Sequence, residues 1–559
     1  MTIKGEDENM KFKKVLRLVP VVLAGTFLLA SCSGKNSSKD TLKLMQTAEI
    51  QSLDNSNVAT LPQWNVLVQS MEGLYRMDKN GKPVAAMATK VVKPTNNGKT
   101  YTFHIRKDAK WSDGSKVTAQ DFVTSWRRSA SPSAKSGYNY IFTGIKNATK
   151  VSSGELPASD LGVKALNDTT LQVQLEYPMP YFSQMMVMPA FFPQSTKYVN
   201  KEGKRYGTSS TRLVYNGPIK VTGWTGTNES WDLTRNKYYY DKKDVHLKKI
   251  SMQVVKDSNT AHQLIQDNKL DDALVTGTTA QGLQKDKDLK HVYRAGTYYL
   301  RLNLQNNKAF QNQKLRQALY LVLNRKQLAN KVLSDGSTAG DTYVAPRLAK
   351  DPTTNKDFAT EMKPSTTYDL KKGQELWNEG LKELNKKKVT LTLVTDDQTI
   401  SKNVGQFVQS QVETKLKGAE VNVVSVPDKS ANGKVSNGNF DMNYTLWLAD
   451  FADPISDFDV LSKTNPQNYG KYASEYYNKQ LELAKQNGTD TNKYWENMRN
   501  MQKQLNDDMP VVPLYTMTES HLVNSNLKGV MWHSVGETDY TRASVSYTHL
   551  RAHETRRHL

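Results

Sequence analysis

Apolar and polar positions follow two different periods along residues 41–544, and the two interleave from end to end. In Thr100–Trp111, Tyr101, Phe103 and Ile105 fall on one side of a period of two, and Thr102, His104 and Arg106 on the other. This predicts a half-buried strand with His104 on its wet face. After the turn Ser112-Asp113-Gly114, the stretch Thr118-Ala119-Gln120-Asp121 has capping-box spacing, with Val117 placed to pack on Phe122. Phe122, Val123 and Trp126 then recur at helical spacing, predicting a helix to about Arg128 with those three in a core. Residues 312–333 carry a long helical pattern stopped by Asp335-Gly336. Strand-like 389–394, helical 401–416 and strand-like 421–426 read as a β–α–β unit, so the final third is expected to hold a parallel layer. Pro and Gly punctuate the middle at Tyr177-Pro178-Met179-Pro180, Pro189, Pro193 and Asn216-Gly217-Pro218, where boundaries of a discontinuous domain are expected. With no repeat and no low-complexity linker, the chain reads as α/β.

The two ends break this pattern. Lys11, Lys13, Lys14 and Arg17 precede the apolar Val19–Ala30, which closes as Leu29-Ala30-Ser31-Cys32. Val15–Ala30 is too short to span a bilayer and is interrupted by Pro20. Small residues before a cysteine at the end of such a run predict a secretory signal over 1–31 and lipidation of Cys32, with 32–40 as a polar tether. A buried free thiol is the alternative for Cys32. Glu6, Asp7 and Glu8 do not suit a basic leader, so Met10 is the expected start. At the far end, 545–559 follows neither period and reads as a non-native tail, including its metal-like His553-Glu554 and His558.

Of 559 residues only Cys32 is a cysteine, which excludes an intrachain disulfide and a cysteine-built zinc site. The formal charge of +21 falls to +17 without 1–31 and 545–559. The lysines are dispersed and no nucleic-acid motif accompanies them, so a solvated basic surface facing anionic wall polymers or lipid headgroups is expected, with no nucleic-acid partner.

An extracellular hydrolase is the natural rival to a binding protein, but its equipment is missing. There is no GxSxG, no HExxH before the tail, and no GxxxxGK[ST] or GxGxxG. His104, His246, His262, His291, His521 and His533 stand at no ligand spacing. No cofactor, metal or catalytic residue is expected. The acidic cluster Asp450, Asp453, Asp457 and Asp459 lacks the alternation of a calcium loop. Tyr444–Leu448 reads as an apolar strand delivering Asp450 from its end, a costly place for a carboxylate unless a cation meets it. A cap or turn aspartate is the bland alternative.

Several long stretches stand in order: Lys110-Trp111-Ser112-Asp113-Gly114 with Val117 to Phe122 and Ser125-Trp126-Arg127-Arg128; Tyr177 to Phe182; Asn216-Gly217-Pro218; Arg235-Asn236-Lys237-Tyr238-Tyr239; Leu300 to Asn303; and Lys314 to Leu319. On these, 41–544 resembles the extracytoplasmic solute-binding proteins of peptide ABC importers, the oligopeptide-binding family. The resemblance implies a two-lobed, periplasmic-binding-protein-like (Venus flytrap) α/β fold with an additional domain, closing on a peptide held as an extra strand. It implies lobe I over 41–84, 206–300 and 515–544, the additional domain over 85–205, and lobe II over 301–514. Asp450 matches the aspartate that pairs with the peptide α-ammonium, Leu446, Trp447 and Leu448 match the strand that pairs with peptide backbone, and Glu72, Gly73 and Leu74 match the opposing strand. Leu446 stands where the family usually has a small residue, and no basic residue can be assigned to the peptide C-terminus.

The expectation is a monomeric lipoprotein on the outer face of a Gram-positive-type cell membrane. It captures oligopeptides and delivers them to the membrane subunits of a permease, without catalysis. The same fold with another solute (a dipeptide, a peptide pheromone, a metal chelate) is the alternative, and an extracellular peptidase or chaperone the rival from another class.

Overall fold

The computed structural model describes residues 41–545 apart from 58, 59 and 137. The signal segment 1–31, the lipidation site and tether 32–40, and 546–559 of the tail lie outside the described residues.

A four-stranded sheet contains β1 (Thr41–Gln46), β2 (Ile219–Thr222), β3 (Ser230–Arg235) and β4 (Lys249–Val254) in the order β1-β4-β3-β2. Alternation along β1 sends Leu42 and Leu44 into the core, and β1 lies parallel to β4. Between β1 and β2 the chain makes α1 (Leu61–Ser70) and a separate three-stranded antiparallel sheet from residues 100–104, 163–167 and 170–174. Against that sheet packs α2 (Ala119–Ala130). Both halves of its capping box form, and Asp121 also accepts from Trp111 Nε1 at 3.1 Å and from the Thr196 N–H at 2.8 Å. Phe122, Val123 and Trp126 are buried as their spacing predicts, and His104 is exposed.

The larger sheet has seven strands. β5 (Asp272–Val275), β6 (Leu289–Leu302), β7 (Val389–Asp396), β8 (Ala419–Val426), β9 (Met442–Leu448) and β10 (Val511–Val523) run in the order β5-β10-β6-β9-β7-β8, with Thr338–Ala339 on β10. β6 and β10 are long antiparallel partners whose ends enter different cores. Ala295 joins the core of the first sheet, whereas Leu300, Leu302, Val512 and Leu514 join the core of the β–α–β unit. The expected lobe limits at 300/301 and 514/515 therefore fall inside β6 and β10, which run on as paired strand through both points.

The helical pattern over 312–333 does not form one helix. Asn312 caps α3 (Gln313–Val322) by accepting from the Leu315 N–H, but Leu323 turns extended and Asn324 caps a second piece by accepting from the Gln327 N–H at 3.0 Å. An asparagine competes for backbone donors and favours a cap over a helix interior. The buried Arg325 donates to the Tyr320 carbonyl that the break leaves open. The β–α–β unit forms as expected: α4 (Thr399–Lys415) joins β7 and β8, which pair in parallel from Val389–Ala419 to Asp396–Val426. Val545, grouped with the tail on sequence, pairs with Leu527 and is buried, so the folded chain reaches it.

Candidate functional site

β9 pairs with β6 along its whole length, Leu448 with Gly296, Trp447 with Thr297 and Leu446 with Tyr298. Because the Ala449 N–H donates to the Ala295 carbonyl, antiparallel alternation turns the main-chain groups of Trp447 and Thr445 toward β6 and those of Leu446 and Leu448 toward the other edge. On that edge β7 pairs with Met442 and Asn443 alone. From Tyr444 onward the edge carries no strand among the described residues, which leaves a slot for an extended segment. The bulk of Leu446, where the resembled family usually has a small residue, is accommodated across the ladder. A Cβ at Gly296 would stand 3.1 Å from a methyl of Leu446 and of Leu448. The Trp447 indole N–H and the Thr297 hydroxyl are buried there without hydrogen-bond partners.

One residue past β9, Ala449 is buried and Asp450 keeps part of its surface open. It is not a helix cap. Its N–H donates to Ser456 Oγ at 2.8 Å and its Oδ2 accepts from the Tyr140 hydroxyl at 3.0 Å. Burial pushes its carboxyl up to about 7, opposed by the hydroxyls of Tyr140 and Tyr138, and no described cation assists. The neighbouring aspartates have other lives. Asp453 accepts from the Tyr494 hydroxyl at 2.8 Å, Asp459 accepts from Lys485 at 2.6 Å, and Asp457 is buried with Oδ2 unpartnered.

Glu72, Gly73 and Leu74 form irregular chain ahead of the short strand Tyr75–Met77. Asn216, from the Asn-Gly-Pro stretch, takes both main-chain groups of Glu72: its Oδ1 accepts from the Glu72 N–H at 3.1 Å and its Nδ2 donates to the Glu72 carbonyl at 2.7 Å. The Gly73 carbonyl accepts from Met87 and the Leu74 carbonyl from Ala86 and Ala88. A side chain at Gly73 would meet the Met186 carbonyl at 2.6 Å, so only glycine fits. The Glu72 carboxyl is buried, accepts from the Tyr239 hydroxyl at 2.9 Å and lies 3.9 Å from Arg76. Burial raises it to about 7 against the pull of Arg76, and its Oε2 has no partner.

Asp450, Glu72 and Gly73, some 380 residues apart in sequence, line one cavity. Leu74, Leu446, Trp447 and Leu448 do not line it. Most of its wall is apolar, from Trp64, Val68, Met188 and Phe192 among others. Sequence reasoning missed His533 and Glu537, which also line it, and Tyr140, which holds Asp450. No local pattern marks these residues, since the lone histidine spacing and the isolated glutamate gain meaning only from the packing of 529–540 onto β6. Among the described residues no group of three or more His, Cys, Asp or Glu could hold a metal ion, and no helix is long and apolar enough to cross a membrane.

Residues 82–469 match the bacterial extracellular solute-binding proteins, family 5 (middle region). The dipeptide-binding protein of Lactococcus lactis subsp. cremoris (strain MG1363) is 33% identical over 542 residues, 94% of this chain and 98% of that protein. Among solved structures, the substrate-binding domain of an oligopeptide ABC transporter from Bacillus anthracis str. Ames superposes with a TM-score of 0.82 at 35% identity, covering 91% of this chain and 99% of that one. Listeria monocytogenes OppA bound to peptide gives 0.82 at 32% identity, covering 92% and 100%. The architecture is thus the two-lobed α/β fold of these binding proteins, with β6 and β10 running between its cores. The family match over 82–469, with a relative 33% identical along nearly the whole of both chains, identifies the chain as a member of the family 5 bacterial extracellular solute-binding proteins.

Proposed function

We propose that this chain is the receptor of a peptide ABC importer, capturing oligopeptides outside the cell and presenting them to the permease, and that it is held on the outer membrane face by lipid on Cys32. The observation that carries the reading is Asp450, a carboxylate with no described cation beside it, two residues beyond a strand whose outer edge is unpaired from Tyr444 onward among the described residues. An extended peptide supplies what both lack. Its backbone adds a strand beside Leu446 and Leu448, and its α-ammonium neutralises Asp450. Main-chain pairing is indifferent to side chains, so a range of sequences would be accepted. Glu72 and Gly73 act as the facing wall, with Leu74 buried behind them and Asn216 and the backbone of 86–88 fixing their course. The names of the relatives, peptide-binding or dipeptide-binding, support the ligand class.

Because the relative from Lactococcus lactis is named a dipeptide-binding protein, short ligands are a second reading within the same class. Native mass spectrometry of the purified protein, followed by calorimetric titration with alanine peptides of two to five residues, tests both. Retained or titrated peptides support the receptor; no binding at any length, with the cavity holding a non-peptide solute, overturns it. Turnover of the same peptides would favour the peptidase.

A further inference from the structure

The loop from Gly529 to Tyr540 carries two buried groups that backbone pairing and the α-ammonium contact leave unused. His533 is 4% exposed and neither ring nitrogen has a hydrogen-bond partner. Glu537 is 6% exposed, and its one described ion-pair contact is Arg294 at 3.9 Å, a guanidinium already held by Glu519 at 3.1 Å. The loop is pinned to β6: the Ser534 carbonyl accepts from the Ala295 N–H at 2.8 Å and the Gly536 carbonyl accepts from Arg294 Nη2 at 2.8 Å. Both side chains are thereby fixed in the wall of the cavity that Asp450 and Glu72 share.

The charge of that wall is unbalanced. Four carboxyls line it, Glu72, Asp450, Glu537 and Asp539, against the guanidiniums of Arg76 and Arg542. Arg542 is committed to Asp241 and Asp244 at 2.6 and 2.8 Å, and Arg76 leans on Glu72. Once Asp450 is assigned to an α-ammonium, Glu537 is left as a second anionic point in the same enclosure. Both line the same cavity wall. Burial holds the His533 ring neutral, so one of its nitrogens is a free acceptor. The remaining wall, with Trp64, Val68, Met77 and Met188, is the surface on which a methylene stem packs.

We propose that this enclosure is the subsite for the ligand's first side chain and that it selects a long basic one, lysine or arginine, with the stem on the Trp64–Val68–Met188 wall and the head at Glu537 and His533. The assignment rests on the peptide reading above, because it takes Asp450 as the anchor of the α-ammonium. A buried carboxylate and a buried cation each lose hydration, and meeting one another with hydrogen bonds offsets that loss. A glutamate in the first position would instead face like charge.

Calorimetric titration of the full chain with Lys-Ala-Ala, norleucine-Ala-Ala and Glu-Ala-Ala at pH 7.5 tests it, since norleucine keeps the stem and removes the charge. The lysine peptide is expected to bind at least about tenfold more tightly than the norleucine peptide, and the glutamate peptide most weakly. In Glu537→Gln the lysine-to-norleucine ratio is expected to fall below about threefold; an unchanged ratio overturns the role of Glu537. Should that variant fail to fold, the wild-type ratios decide alone. Equal or reversed preference in the wild type overturns the subsite while leaving the peptide reading intact, whereas no binding by any of the three peptides overturns both.

Discussion

Asp450 stands where a carboxylate is expensive to keep charged, and that expense makes it responsive to what arrives. Asp450→Asn preserves shape and removes the charge, so a peptide with a free α-ammonium should lose roughly 2–5 kcal/mol, about thirty- to several-thousand-fold in affinity. N-acetylation of the peptide should cost the wild type a similar amount and the variant little. Titrating both peptides against both proteins checks this, and equal free-to-acetylated ratios would remove Asp450 from the ammonium site. The pH dependence follows from the same burial. In the empty cleft Asp450 sits at about 7, raised from the usual carboxylate range, and an incoming cation pulls it back down. Binding therefore expels a proton below pH 7, and affinity should rise by up to about tenfold per pH unit from 6 to 7. Calorimetry in buffers of different ionisation enthalpy measures the released proton. For the ligand-free fold the sign is opposite. Asp450, Glu72 and Glu537, all raised to about 7 chiefly by burial, contribute stability that is full below the ordinary carboxylate range and is lost as pH climbs through 7.

At the scale of elements, the edge of β9 is where the proposed ligand strand would add. Two residues of β9 hold β7, and the divergence after Asn443 leaves Leu446 and Leu448 facing open space. If a ligand strand pairs there, methylating single backbone nitrogens of a bound peptide should cost about 0.5–1.5 kcal/mol per lost bond at alternate positions only, following the period of the ladder. A uniform loss or none would exclude strand addition. The helix α2 illustrates the supporting framework. Its capping aspartate also ties down Trp111 and Thr196, so Asp121→Ala strands several buried donors and should lower stability by roughly 2–5 kcal/mol, read as a fall in midpoint in chemical denaturation. Ligand affinity corrected for the folded fraction should change little, since nothing in α2 lines the cavity.

Across the whole molecule, β6 and β10 pass from one core to the other as paired strands, with register shifts between Tyr293 and Thr297 and between Tyr298 and Tyr299. Saturation at a hundredfold excess over Kd should stabilise the closed form by about 2.7 kcal/mol. Cys32→Ala should abolish lipidation and release the protein into the medium, checked by fractionation and mass spectrometry; retention on the membrane would exclude Cys32 as the anchor. Truncation after Val545 should leave the Tm unchanged, whereas removing Val545 as well deletes a buried side chain and its pairing with Leu527 and should lower it.

Period and spacing alone carried the α/β class, the strand with His104 outside, the capping box of α2 and the parallel β7–α4–β8 unit, because each is decided by residues within one or two turns of one another. The same periodicity overran at 312–333, where a cap at Asn324 and a bond from Arg325 back to the Tyr320 carbonyl outweigh a continuous apolar stripe. Asp450 was legible as an aspartate at the end of an apolar strand. That its carboxyl meets hydroxyls and no described cation, that Asn216 fixes the course of Glu72, and that His533 and Glu537 enter the same cavity was decided only by tertiary packing. Burial and charge balance belong to the surroundings of a residue, and here those surroundings come from segments separated by hundreds of positions.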